Sequence, residues 1–206
     1  MYWYEDEIIK LEGKTILPKE NKKRVLFYGS SSIRQWETLE NDFPEFDVVN
    51  QAFGGSTIAA CCWFFERIIP FWKPDILVLY AGDNDLGDGR HPEEVFLNFN
   101  YMMSLIQEHC GDIPVAFISI KQSISRINLY DSIQFTNKII RNEIELKYPL
   151  CTFVDITEAM KTKGSVDNTL FESDGLHLST NGYKVWKREI KLQFLNNWKE
   201  KIITQP

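Results

Sequence analysis

Residues Val25 to Trp36 read VLFYGSSSIRQW. An apolar run stops at Gly29, three serines follow, and Ile33 and Trp36 then begin a helical spacing. The run reads as a buried strand and the glycine as a tight turn into a helix. The serines have two readings. Serine is a good N-cap, so the stretch can simply launch a helix. A serine held on a sharp strand-to-helix turn also exposes its hydroxyl at the positive end of the helix, where a nucleophile can be used.

Outward from this stretch, strand and helix alternate. Short apolar runs recur at Arg24 to Tyr28, Asp47 to Asn50, Asp75 to Tyr80, Pro114 to Ile120 and Thr152 to Asp155. Runs such as DILVLY and PVAFISI are continuous rather than alternating, the pattern of strands buried on both faces of a parallel sheet. Helical spacing covers Ser32 to Glu40, Thr57 to Phe71, Pro92 to His109, Leu129 to Lys147 and Thr180 to Trp198. Five such alternations predict an α/β fold, a three-layer α/β/α sandwich with right-handed crossovers. Gln122 to Asn128 and Lys161 to Asp174 read as loops. With no internal repeat and no linker rich in Pro, Gly or Ser, residues 1–206 read as a single domain. Residues 1–23 form an N-terminal extension packing on it, with a short helix whose Trp3, Ile8, Ile9 and Leu11 need cover.

The totals exclude several classes. With 23 basic against 29 acidic residues, net charge −6, and no basic stripe beyond KENKKR, a nucleic-acid partner is not expected. Cys61, Cys62, Cys110 and Cys151 form no C-x-x-C pair and no zinc spacing, and read as buried small hydrophobes of a reducing compartment. The acidic, amphipathic start MYWYEDEIIKLEG lacks the pattern of a signal peptide, and no run reaches the roughly 18 apolar residues of a membrane span. A cytoplasmic protein without integral membrane association is the expectation.

In open α/β sheets ligands bind beyond the carboxyl ends of the strands. There the sequence places Gly29-Ser30-Ser31-Ser32, then NQAFGGST with Gly54 and Gly55, then AGDND with Asn84, and before the last helix ESDGLHLS with Asp174 and His177. Serine catalysis needs a hydroxyl, a base, a group orienting the base, and donors for an oxyanion. Of the three histidines, His91 precedes Pro92 in a turn and His109 lies near a helix end. His177 follows Asp174 by three residues, a spacing that lets the carboxylate reach Nδ1 and turn Nε2 toward a serine. The alternative is an Asp capping its own turn beside a surface His. The N–H groups of Ser31 and Gly55 and the Asn84 side-chain amide are candidate oxyanion donors.

The four blocks YGSSSI, NQAFGGST, YAGDND and DGLHLS, in this order, resemble the SGNH hydrolases, also called GDSL-like esterases and lipases. The resemblance spans Val25 to about Trp186 and looks most like the branch containing platelet-activating-factor acetylhydrolase subunits and bacterial acylhydrolases. It implies a five-stranded parallel sheet of flavodoxin-like order 2-1-3-4-5, a serine esterase acting on a small or short-chain ester, and neither metal nor organic cofactor. It also implies Ser31, Asp174 and His177 as catalytic residues, with Ser31, Gly55 and Asn84 forming the oxyanion hole. The family's usual Asp before the nucleophile is Ser30 here, so Ser31 is assigned by counting from Gly29.

Two rival functions are compatible with parts of the pattern. The carboxylates of GDNDLGDG (Asp83, Asp85 and Asp88) and Asp174 suggest a metal-assisted phosphoesterase, and the helix start at Ser31 suggests a non-catalytic module binding an acylated or anionic ligand. Trp36, Phe53, Trp63 and Phe64 follow the first two loops, as pocket walls or as core; Lys121 reads as a salt-bridge partner or as a rim cation. The aromatic N-terminus is a candidate homodimer contact.

Overall fold

A computed structural model describes residues 1–15, 17–196 and 198; the last eight residues of the expected domain, and Asn197 of the expected final helix, lie outside the described residues. The five apolar runs form strands β1 (Arg24–Gly29), β2 (Asp47–Asn50), β3 (Ile76–Tyr80), β4 (Val115–Ile118) and β5 (Cys151–Val154). All pair in parallel, in the order β2-β1-β3-β4-β5. Val25 lies opposite Val48 on one side and Ile76 on the other, and Gly29 opposite Tyr80.

Among the described residues eight α-helices accompany the sheet: α1 (Glu5–Glu12), α2 (Ser31–Arg34), α3 (Leu39–Asp42), α4 (Ile58–Ile68), α5 (Asp83–Gly87), α6 (Pro92–Cys110), α7 (Tyr130–Lys147) and α8 (Thr180–Ile190). Because successive strand residues face opposite ways, the sheet divides the core in two. Leu26, Tyr28, Leu77 and Leu79 pack against α1, α4, α6 and α7, whereas Val25, Phe27, Ile76 and Val78 pack against α2, α3 and α8. That is the expected three-layer sandwich. No helix among the described residues is long and apolar enough to cross a membrane.

Several local expectations change. The helix expected over Ser32 to Glu40 is two short ones, because the chain turns at Gln35–Thr38 to bury Trp36, whose indole N–H donates to Asp42 Oδ2 at 2.8 Å. Pro70, lacking an amide hydrogen, starts a 3-10 turn over Pro70–Trp72 beyond the end of α4. The expected loop after Lys161 contains a two-stranded hairpin, β6 (Lys161–Thr162) and β7 (Ser165–Val166). Lys163 and Gly164, both at positive φ, form its two-residue turn. Gln122 to Asn128 is mostly a 3-10 segment, Ile124–Leu129. The last helix changes to π geometry over Lys191–Leu195. Of the apolar residues on α1 and before it, Ile8 and Leu11 are buried while Trp3 and Ile9 stay exposed.

Candidate active site

The three serines at the end of β1 go three different ways. Gly29, at φ +135°, turns the chain where a Cβ would lie 1.9 Å from the Tyr80 carbonyl oxygen, so no other residue fits. Ser30 occupies the N-cap position of α2, but its side chain makes no capping hydrogen bond and its buried Oγ has no partner among the described residues. Ser32 Oγ accepts from the buried Lys121 ammonium at 3.1 Å. Only Ser31 Oγ reaches a base: His177 Nε2 lies 3.1 Å away.

His177 is held from its other side. Its Nδ1 is 2.6 Å from Asp174 Oδ2, which puts the ring proton on Nδ1 and leaves Nε2 to accept the Ser31 hydroxyl proton. Asp174 Oδ1 accepts the N–H groups of Leu176 and His177 at 2.8 and 2.9 Å. Burial pushes the Asp174 pKa up, but the imidazole and these two N–H groups outweigh that and hold it at about 2. One carboxylate therefore both closes its own turn and orients the imidazole. The other histidines are elsewhere: His91 caps α6 with Glu94, and His109 lies 3.6 Å from Glu66.

Gly55, on the loop after β2, and Asn84, in the helix α5 that follows β3, come to the same edge. The N–H groups of Ser31 and Gly55 donate to no partner among the described residues, as a helix start and a glycine turn at φ +64° allow. Asn84 Nδ2 donates to the Ser56 carbonyl at 3.1 Å, and its Oδ1 accepts from Arg126 Nη2 at 2.9 Å. These contacts fix the amide's orientation and leave its second N–H for a ligand.

Beneath Ser31 and Asn84 lies a buried ionic cluster. Asp83 Oδ2 accepts hydrogen bonds from Lys121 Nζ at 2.6 Å and the Tyr80 hydroxyl at 3.1 Å, and forms an ion pair with Arg126 Nη1 at 3.2 Å. Burial works against the Asp83 carboxylate, yet the two cations hold its pKa below the ordinary value. Lys121 is 1% exposed, which makes it the salt-bridge partner and removes it from the rim. Sequence reasoning missed Arg126 altogether.

Two further sequence expectations resolve. Trp36, Phe53 and Phe64 are core residues, whereas Trp63 is 69% exposed. Three of the four carboxylates of the phosphoesterase reading are engaged elsewhere, Asp83 by Lys121 and Arg126, Asp85 by the Ile58 N–H at 2.9 Å, and Asp174 by His177, while Asp88 is exposed. Among the described residues no three His, Cys, Asp or Glu side chains are arranged to hold a metal ion.

The sheet order is that of a flavodoxin-like sandwich, and a hydroxyl, an imidazole and a carboxylate are aligned beyond its strands. The GDSL-like lipase/acylhydrolase family matches residues 26–185, and the chain belongs to it, as a carboxylic ester hydrolase. No curated protein sequence matches the chain. Among solved structures, a GDSL-like lipase from Bacteroides thetaiotaomicron superposes with a TM-score of 0.73 at 22% identity, covering 92% of this chain and 94% of that one. A protein from Streptococcus pneumonia, provisionally described as a platelet activating factor, gives 0.76 at 17% identity over 92% and 90%. An acetyl-xylooligosaccharide esterase from a Geobacillus gives 0.67 at 15% identity over 87% and 96%. At such identities the likeness is one of fold.

Proposed function

We propose that the protein is a serine esterase that cleaves a small or short-chain carboxylic ester through an acyl-enzyme on Ser31. The observation that carries this reading is the line Ser31 Oγ, His177 Nε2, His177 Nδ1, Asp174 Oδ2, with hydrogen-bond distances of 3.1 and 2.6 Å. His177 takes the hydroxyl proton on Nε2 while Ser31 Oγ bonds to the ester carbonyl carbon. The carbonyl oxygen becomes an oxyanion, received by the N–H groups of Ser31 and Gly55 and the Asn84 amide. Collapse of the tetrahedral adduct breaks the bond to the alcohol, which leaves with the proton from His177. Water then attacks the acyl carbon, giving its proton to His177; the acid departs and Ser31 recovers its hydrogen. Asp174 stays ionised and balances the imidazolium throughout.

An acetyl ester on a carbohydrate is the substrate class this reading favours, since a neighbour of the same fold is an acetyl-xylooligosaccharide esterase. The test is hydrolysis of p-nitrophenyl acetate, butyrate and octanoate, and of acetylated xylo-oligosaccharide, by the wild type and Ser31→Ala, each with and without EDTA. Turnover that falls with acyl length, resists EDTA and vanishes in the variant is expected. Undiminished turnover by Ser31→Ala would refute the assignment. Tight binding of the acetylated sugar without turnover would favour the non-catalytic module instead.

A further inference from the structure

The family match begins at Leu26, so α1 lies outside it. Yet α1 touches the site. The loop that carries Gly55 consists at its tip of two glycines, and neither has a side chain with which to hold itself. Two residues from the N-terminal segment do so. Glu7 Oε2 accepts the Gly54 N–H at 3.0 Å, and the Tyr4 hydroxyl donates to the Gly55 carbonyl at 3.0 Å. The peptide between these two hydrogen bonds is the one whose N–H has no partner among the described residues.

Glu7 also ties this loop to the nucleophile's helix. Its Oε1 lies 3.4 Å from Arg34 Nε, and Arg34 lies so close to Gly54 that a Cβ there would meet the guanidinium at 3.1 Å. Arg34 is the last residue of α2, the helix that begins at Ser31. Tyr4 is buried edge-on against Phe53, ring centroids 5.2 Å apart, and burial pushes its pKa up, so the hydroxyl keeps its proton. The helix itself is anchored by Ile8 and Leu11 in the core, with Glu5 and Glu12 paired to Arg67 of α4 at 2.9 and 2.8 Å.

From this geometry we infer that the N-terminal helix is a working part of the site. Tyr4 and Glu7 are positioning residues that clamp the Gly54–Gly55 peptide on both sides and aim its N–H at the oxyanion. This rests on the reading of the Gly55 N–H as an oxyanion donor. A clamp of this kind acts on the transition state, because the charge it serves develops only there. Its loss should lower kcat while leaving KM in place.

The test compares Tyr4→Phe, Glu7→Gln and the double variant with the wild type and Asn84→Ala, in the full chain. Active sites are counted by phosphonylation with a fluorophosphonate, so that misfolded protein is not scored as slow enzyme. For each single variant kcat per active site on p-nitrophenyl acetate should fall about three- to tenfold, the worth of one hydrogen bond, with KM unchanged. The Ki of a short-chain alkyl trifluoromethyl ketone, whose hemiketal oxygen carries the oxyanion charge, should rise by the same factor. A merely structural role would change the number of active sites and leave Ki alone. Wild-type kcat and Ki in both single variants and the double variant, beside a large loss in Asn84→Ala, would overturn the clamp and spare the oxyanion hole. Unchanged kcat in Asn84→Ala as well would overturn the oxyanion reading itself, and the clamp with it.

Discussion

Asp174 and Asp83 both hold their charge at the site, by opposite means. Asp174 is half exposed and is held locally, by two N–H groups of its own turn and by the imidazole three residues on. Asp83 is buried and is held by Lys121 and Arg126, 38 and 43 residues away in the chain, one on the segment after β4 and the other on the 3-10 turn beyond it. The first arrangement is suited to chemistry, since a carboxylate there can answer a charge that appears and disappears on His177. The second is suited to support: it joins Ser32, next to Ser31, to Asn84 through fixed charges. Substitution should therefore separate the two, activity failing at one and stability at the other.

The largest effect is expected at the exposed turn. His177→Ala should bring kcat to near background, a loss on the order of 10⁴-fold or more, with the fold intact. Asp174→Asn should lower kcat by roughly 10²- to 10⁴-fold, because the amide favours the wrong tautomer, and leave the melting temperature within a few degrees. Circular dichroism melts beside p-nitrophenyl acetate kinetics read both. A large loss of stability in Asp174→Asn with activity retained would break the contrast.

At the buried cluster the order reverses. Lys121→Met leaves Asp83 with one cation and should destabilise the fold by about 3 kcal/mol, read by urea denaturation. Wild-type stability in that variant would mean the cluster supports nothing. The smallest effect sharpens the contrast through a third aspartate. Asp85 is buried with no cation paired to it among the described residues, and burial lifts its pKa to about 6. Between about pH 4, where the unfolded chain loses this proton, and about pH 6, the folded state binds more protons, so stability falls as pH rises. Asp85→Asn should remove that slope, worth about 3 kcal/mol at most, in denaturation curves at pH 4 and pH 7. An identical pH dependence in the variant would contradict it.

The same contrast explains what could be read from sequence. Asp174 and His177 form their contact within one turn, so the spacing offers it, beside a plain turn cap, before any tertiary contact is known. The strands were legible for a related reason: a run buried on both faces must be apolar throughout, as VLFY and ILVLY are. Arg126 left no signal, because it sits in a polar stretch and meets Asn84 only once the sheet has brought two loops together. The role of Lys121 stayed open until its exposure was known. The hairpin at Lys163–Gly164 did carry a sign, a glycine able to take positive φ, but its strands are too short for an alternating pattern. Tyr4 and Glu7 read as one amphipathic helix needing cover, and nothing along the chain ties them to glycines some fifty residues on.

Ser31, alone of three adjacent serines, is the proposed nucleophile. Its most direct test is reaction with a fluorophosphonate followed by peptide mass mapping, since phosphonylation forms a bond to the activated oxygen and releases fluoride. The account predicts one adduct per chain, on Ser31, absent from Ser31→Ala and strongly slowed in His177→Ala. An adduct on Ser30 or Ser32, or labelling that persists in Ser31→Ala, would contradict it.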